Sequence, residues 1–401
     1  MSTNTSKKKF VILTSDCGYG HRSAANAISK AMEIHHPQDS STVIINPILE
    51  QPAPKFLKYS ELNYNHLVTT NPGFYRFTYE ISDSRPASAL VEDTLTLALY
   101  KDINQIIQEI HPNAILSTNQ MFGGPTGVVL NFMKNRLPFY TVVTDLADVH
   151  AMWFNNNPDR FYVASEAVRS KAIDSGIDPK KIFISGIPVN PDYASTQLTK
   201  SELRVKLALD PNLPTLLFVG SQRVSGILEH LEELETVSLP FQVVVIAGGN
   251  NQLYEQARQR QWSFPIRVEN FVSNMPEWML CADLLITKAG GLILSEALAA
   301  GLPILMIDYL PGQEEGNVQF ILDQQAGEIV KNPGELNKFV VEFLKDDQKV
   351  LKQLSSNARR CGHPDSALVI ADALWLADEI QVPEATPRLS LRSLREHIAE
   401  R

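Results

Sequence analysis

The sequence predicts an α/β protein built of two Rossmann-like halves with parallel sheets, and three observations carry that prediction. Short apolar runs of strand length alternate with segments whose apolar residues recur at helical spacing. The alternation breaks once, where Gly186, Pro188, Pro191 and the polar stretch Ser195 to Lys200 interrupt it. The chain's 401 residues also exceed what one core supports, since cores stop growing past roughly 250–300 residues. Domains are therefore expected at 8–194 and 201–380, followed by a tail at 381–401.

The first element, Phe10-Val11-Ile12-Leu13-Thr14, is a continuous apolar run suited to a strand buried on both faces, and Asp16 to Gly20 is a turn. From Arg22 the period changes: Ala24, Ala25, Ile28, Ala31 and Met32 mark one helix face. Ser41 to Ile45, after Pro37, is the second strand and completes a β-α-β opening. Strands follow at Ala114–Ser117, Phe139–Thr144, Arg160–Ala164 and Lys181–Ser185, with helices at about 89–110, 124–134 and 165–175. The second series places strands at Thr215–Val219, Gln242–Ala247, Ile266–Glu269, Asp283–Thr287 and Pro303–Ile307.

Composition narrows the function classes. Hydrophobic residues at 44% and charged residues at 20% exclude wholesale disorder, collagen and coiled coil. No apolar run approaches the roughly 18–20 residues of a membrane helix, and Met1 to Lys9 lacks a signal-peptide apolar region, so a cytosolic protein is expected. Cys17, Cys281 and Cys361 are three and far apart, which fits free thiols and no structural metal. A net charge of −9 without a basic run beyond Lys7-Lys8-Lys9 argues against nucleic acid as a partner.

Residues 47–86 differ from both halves. Phe56, Leu57, Tyr59, Leu62, Tyr64, Phe74, Tyr75, Phe77 and Tyr79 alternate with Lys55, Lys58, Arg76 and Arg85. Such interleaving suits a membrane interface. It equally suits a helical pair packing its aromatics inward. In the tail, Leu389, Leu391, Leu394 and Ile398 line one side of a short helix that meets either a membrane or its own protein.

The chemistry concentrates in two places. Cys281 to Leu305 parses as a strand ending at Thr287, a Gly290-Gly291 turn, a helix from about Leu292, a stop at Gly301 and another strand. Glycines there let backbone N–H groups and a helix N-terminus approach an anion. Glu296, one turn in, can accept hydrogen bonds from sugar hydroxyls, or is simply a helix-facing acid of a plain crossover. The loop from Asp308 adds Gln313, Glu314 and Asn317 at the same end of the sheet, where amides and carboxylates suit a polyhydroxylated ring.

Six ordered motifs resemble glycosyltransferase family 28, in particular its diacylglycerol glycosyltransferases: the monogalactosyldiacylglycerol synthases and the processive diacylglycerol glucosyltransferases. They are Ser15-Asp-Cys-Gly-Tyr-Gly-His-Arg-Ser-Ala-Ala; Val143-Thr-Asp-Leu with His150 and Trp153; Gly186-Ile-Pro-Val; Phe271-Val-Ser-Asn-Met with Glu277-Trp-Met; Thr287-Lys-Ala-Gly-Gly with Ser295-Glu-Ala-Leu; and Pro311-Gly-Gln-Glu with Asn317. The resemblance runs from Val11 to about Val330.

It implies a GT-B fold, two facing Rossmann-like domains with a cleft between them, the C-terminal one holding a UDP-hexose. It also implies a lipid acceptor, peripheral attachment to the cytoplasmic face of a membrane, and no cofactor. Glu296 then binds the ribose, Gln313, Glu314 and Asn317 approach the sugar, and Phe271 and Val272 border uracil. The diphosphate lies against Gly220, Ser221, Gly290, Gly291 and Leu292, and the acceptor against Gly18, Tyr19, Gly20, His150 and Trp153. His21 is the implied base, and an imidazole that takes the acceptor's proton gives typically 10²–10⁴-fold in rate. Asp145, at a strand end, orients the imidazole, competes as base, or merely caps the strand.

Three departures bear on this, one of them Tyr19 between the glycines of the first loop. The donor domain's first loop, Gly220-Ser-Gln-Arg-Val-Ser-Gly226, replaces a run of glycines, so that Arg223 either rebuilds the phosphate contact or the donor changes. Ser117-Thr-Asn-Gln-Met lacks the histidine of some plant-type members. An NAD-linked dehydrogenase is disfavoured, since Gly18-Tyr-Gly20-His-Arg-Ser23 is not G-x-G-x-x-G and the second strand ends in Asn46. A polyprenyl-diphosphate N-acetylglucosaminyl transferase, a UDP-sugar epimerase and a non-catalytic UDP-sugar sensor remain as alternatives on the same motifs.

Overall fold

A computed structural model describes residues 7–17, 19–63, 83, 85–155, 157–332 and 334–379. In chain order its main elements are β1 (Lys8–Leu13), α1 (Tyr19–His35), β2 (Ser40–Ile45), α2 (Lys55–Leu62), α3 (Arg85–Ile110), β3 (Ala114–Ser117), α4 (Gly123–Asn131), β4 (Phe139–Val142), β5 (Arg160–Val163), α5 (Glu166–Asp174) and β6 (Ile182–Ile184). There follow α6 (Asp192–Ser195), α7 (Lys200–Lys206), β7 (Thr215–Val219), α8 (Ile227–Leu234), β8 (Gln242–Ile246), α9 (Asn251–Gln259), β9 (Ile266–Glu269), α10 (Met275–Cys281), β10 (Leu284–Lys288), α11 (Gly291–Ala300), β11 (Ile304–Asp308), α12 (Glu315–Asp323), β12 (Gly327–Ile329), α13 (Glu335–Leu344), α14 (Lys349–Cys361) and α15 (Ser366–Trp375).

The chain divides into two compact units, one of Met1–Pro188 with Ser366–Arg401, the other of Val189–Asp365. In the first unit six strands pair in the order β2-β1-β3-β4-β5-β6, and every described pair is parallel. Phe10, Val11, Ile12 and Leu13 are buried, as a parallel strand covered by helices on both faces requires. Phe10 and Ile12 face α1 and α15, while Val11 and Leu13 join the core beneath α3.

Helix α15 corrects the sequence-based boundary that assigned residues up to 380 to the second domain. Its apolar stripe Ala367, Ile370, Ala371 and Leu374 is fully buried against Ala25, Ile28, Ala31 and Met32 of α1 and completes the first unit's core. Asp372 accepts from His35 at 2.7 Å, the His36 ring stacks on Trp375 with centroids 4.2 Å apart, and Lys8 pairs with Asp378 at 2.7 Å. An amphipathic stripe tells that a helix face is buried, not which sheet buries it.

The second unit's sheet runs β12-β11-β10-β7-β8-β9, all parallel. Helix α11 ends at Gly301 with φ 65°, the left-handed stop read from the sequence. The three cysteines are not joined in disulfides, and among the described residues no histidine, cysteine and carboxylate group is arranged to hold a metal. Most of the expected 47–86 insertion, including Tyr64, Phe74, Tyr75, Arg76, Phe77 and Tyr79, and the tail from 381 lie outside the described residues, as does Gly18.

Candidate active site

In an open α/β sheet, ligands bind outside the carboxyl ends of the strands where strand order reverses. In the first unit that point lies between β1 and β3. Buried Thr14 and Ser15 leave β1, and His21 comes in the first turn of α1 with Gly20 beside it. The His21 Nδ1 lies 2.8 Å from the Thr118 carbonyl oxygen, just past β3, and 2.8 Å from Thr144 Oγ1, just past β4. Thr118 Oγ1 is 2.9 Å from Thr14 Oγ1 and 3.2 Å from the His21 carbonyl. Burial pushes the imidazole down to about 4, against a smaller opposing effect of the Thr118 carbonyl, so the ring is neutral at pH 7.

A buried carboxylate that the sequence reading passed over holds the same turn. Glu61 Oε1 accepts from Ser15 Oγ at 2.9 Å, the Asp16 N–H at 2.7 Å and Asn46 Nδ2 at 2.7 Å. The signal was present: Glu61 is four residues after buried Leu57, hence on the same helix face. Asp16 in turn receives Arg22 at 2.8 and 3.0 Å, which holds its carboxyl below the usual range, and Arg22 reaches Glu50 at 3.1 Å.

The structure revises two predicted acceptor contacts. Trp153 is fully buried among Val143, Val149 and Phe161, and its indole N–H donates to Asp145 Oδ2 at 2.6 Å. His150 is likewise buried, and its Nδ1 accepts from the Met152 N–H at 3.2 Å. Neither side chain presents surface to an acceptor; both shape the segment after β4. The chain enters α1 at Tyr19.

In the second unit the reversal falls between β7 and β10, which Thr287 Oγ1 ties together by donating to the Val219 carbonyl at 2.8 Å. The predicted residues Gly220, Ser221, Gly290, Gly291 and Leu292 all follow these two strands. The expected amide donors are redistributed, however. Gly220 N–H donates to Ile246 at 2.8 Å and Gly290 N–H to Lys288 at 2.8 Å, so neither is left for an anion. The first bonded amide of α11 is Leu294, to Gly290 at 3.1 Å, which leaves those of Gly291, Leu292 and Ile293 as its orphan donors. A Cβ on Gly290 would meet only Ile293 and Glu314 at ordinary distances of 3.6 and 3.7 Å, so nothing inside the protein demands glycine there. At Gly220 a Cβ would come within 2.9 Å of Ile227 and Leu253, a packing requirement.

Asn317 Nδ2 donates to the Ala289 carbonyl at 3.0 Å and braces the turn. Glu314 is committed at both oxygens, to Lys288 Nζ and to the Leu310 N–H at 2.7 Å. Lys288, to which the sequence reading gave no role, is thus a mostly buried side chain two residues before Gly290. Glu296 is pushed up to about 8 by burial, only partly opposed by the Tyr193 hydroxyl. Phe271 follows β9 with 72% of its surface exposed, and partly buried Val272 comes next. Gln313 begins the turn into α12, its N–H donating to Leu310 at 3.3 Å. Ser225 donates to Asp308 through N–H and hydroxyl at 3.4 and 3.2 Å, joining the altered 220–226 loop to the end of β11.

Solved structures share this architecture. MurG of Acinetobacter baumannii gives a TM-score of 0.60 at 14% identity over 92% of this chain and 99% of that one. HepE of Anabaena, in complex with UDP and glucose, gives 0.54 at 15% over 92% and 99%. At such identities the likeness speaks for the fold, and the fold is that of the GT-B glycosyltransferases. Sequence comparison is more specific. Residues 21–189 match the monogalactosyldiacylglycerol (MGDG) synthase family and residues 215–368 the glycosyltransferase family 28 C-terminal domain. Monogalactosyldiacylglycerol synthase 3, chloroplastic, of Arabidopsis thaliana is 31% identical over 385 residues, 93% of this chain and 82% of that protein. The chain belongs to the monogalactosyldiacylglycerol synthase family of glycosyltransferases.

Proposed function

We propose that this protein moves galactose from UDP-galactose to the free hydroxyl of diacylglycerol with inversion, forming a galactolipid. The observation that carries the reading is that relatives named for this product match across both units, while a neutral imidazole stands at the first unit's reversal point. The acceptor oxygen forms its bond to the anomeric carbon as the bond to UDP breaks, UDP leaves with the electron pair, and the hydroxyl proton passes to His21. The amides of Gly291, Leu292 and Ile293, with Lys288 close by in sequence, meet the charge developing on the diphosphate.

In this reading Phe271 and Val272 border uracil, for which the exposed Phe271 ring is suited. Glu296 binds the ribose as a largely protonated acid able both to donate and to accept. Gln313 faces the hexose, while buried Glu314 and Asn317 approach it from behind and hold the turn through Lys288, Leu310 and Ala289. Gly18, Tyr19 and Gly20 meet the acceptor.

Attachment is peripheral, on the cytoplasmic face. Among the described residues no helix is long and apolar enough to cross a membrane. Helix α2 exposes Phe56, Tyr59 and Leu62 at 58, 71 and 70% beside Lys55, a composition suited to a headgroup layer. The test is incubation of the purified protein with diacylglycerol and either UDP-galactose or UDP-glucose. A β-linked galactosyldiacylglycerol supports the reading, whereas isomerised or hydrolysed sugar without lipid product overturns it.

A further inference from the structure

We infer that Thr118 and Thr144 are positioning residues that fix the tautomer of His21, leaving Nε2 bare to receive the acceptor's proton. The inference rests on the reading of His21 as the base. A carbonyl oxygen can only accept, so the ring nitrogen 2.8 Å from Thr118 O must carry the hydrogen. Thr144 Oγ1, 2.8 Å from the same nitrogen, shares that hydrogen as a second acceptor. Its own proton can turn toward Thr118 O at 3.5 Å. With Nδ1 protonated, a neutral imidazole has its lone pair on Nε2. The opposite tautomer would set the Nδ1 lone pair against that of the Thr118 carbonyl and present the acceptor with an N–H unable to take a proton.

The carbonyl that makes this choice is itself held. The Thr118 N–H donates to Leu13 at 3.0 Å, and its hydroxyl lies 2.9 Å from Thr14 Oγ1 and 3.2 Å from the His21 carbonyl. Thr118 therefore meets His21 at ring and at backbone, and the side chains of Thr14, Thr118 and Thr144 are all buried. When Nε2 takes the proton the ring becomes a cation, and the Nδ1–H bond turns charge-assisted, roughly twice as strong as a neutral one. The two oxygens are already aligned, so their stabilisation grows along the reaction rather than being present equally in the ground state.

The test is nitrogen NMR of imidazole-labelled full-length protein, with His21→Ala assigning the signal, alongside steady-state kinetics. The expected spectrum at pH 7 is a neutral ring protonated at Nδ1. Thr144→Val, which leaves the Thr118 carbonyl at Nδ1 but removes the second acceptor, is expected to keep the Nδ1–H tautomer, shift its nitrogen resonance and lower kcat about tenfold with the donor KM unchanged, and Thr144→Ser to restore both. Thr118→Val, which keeps the carbonyl but frees its anchor, is expected to behave like Thr144→Val. An Nε2-protonated ring in the native protein, or a Thr144→Val variant with native spectrum and kcat, overturns the inference. Full turnover in His21→Ala would instead remove the base reading, and the spectrum alone would then decide the tautomer.

Discussion

Trp153 hands its indole N–H to Asp145 at 2.6 Å while its ring stands 6.3 Å from the His21 imidazole, tilted by 48°. Asp145 thus acts on the segment after β4 through a buried ring. Asp145→Asn retains an acceptor oxygen and is expected to lower kcat less than tenfold. Asp145→Ala strands the buried N–H and is expected to cost about 1–3 kcal/mol of stability, read by urea unfolding of the two variants side by side. Were Asp145 the base, the Asn variant would be as inactive as the Ala variant.

The Asn317 amide is the strut of the glycine turn, through its bond to Ala289 at 3.0 Å. Asn317→Ala removes that strut while leaving His21 untouched. The expected result is a donor KM raised about tenfold, the loss of one hydrogen bond of roughly 1.4 kcal/mol, with the acceptor KM unchanged. Initial-rate kinetics with each substrate varied in turn checks it.

Glu296 and His21 give the stability a pH signature. Glu296 has its folded value raised to about 8 from 4.5, so the folded state binds the proton more tightly and stability declines as pH rises from 4.5 to 8. His21 has its folded value lowered to about 4 from 6.5, so the unfolded state binds the proton more tightly and stability declines as pH falls from 6.5 to 4. Each slope reaches at most about 1.4 kcal/mol per pH unit. Glu296→Gln should gain on the native protein between pH 5 and pH 8 in denaturant titrations, and parallel curves would contradict the account.

Helix α2 offers the exposed apolar face for membrane attachment. Replacing Phe56, Tyr59 and Leu62 together by Ser is expected to lower co-sedimentation with anionic phosphatidylglycerol vesicles severalfold, without loss of fold by circular dichroism. These three side chains are exposed, whereas the buried face of the helix is that of Leu57 and Glu61.

What could be read from sequence follows from what parallel sheets demand. Strands buried on both faces appear as unbroken apolar runs, so β1, β3, β7 and β8 were legible to within a residue or two. The strand β12 was not: Gly327-Glu-Ile is too short and polar to show a period. Glycines at Gly220 and Gly290 were visible as glycines, but whether their amides are spent on Ile246 and Lys288 is a matter of tertiary hydrogen bonding. The contacts that seat His21 come from residues 97 and 123 positions away, and two threonines carry no local pattern that announces them. Trp153 and His150 stood near the motif that drew attention to them, yet proximity in sequence gave no measure of burial.

The central claim is that His21 accepts the proton of the lipid hydroxyl as UDP departs, and the most direct measurement is single-turnover transfer by His21→Ala paired with calorimetric titration of UDP. The account predicts a rate lowered roughly 10²–10⁴-fold with UDP affinity within about twofold of the native protein. A rate within a factor of a few of native at neutral pH, or a parallel loss of UDP binding, would contradict it.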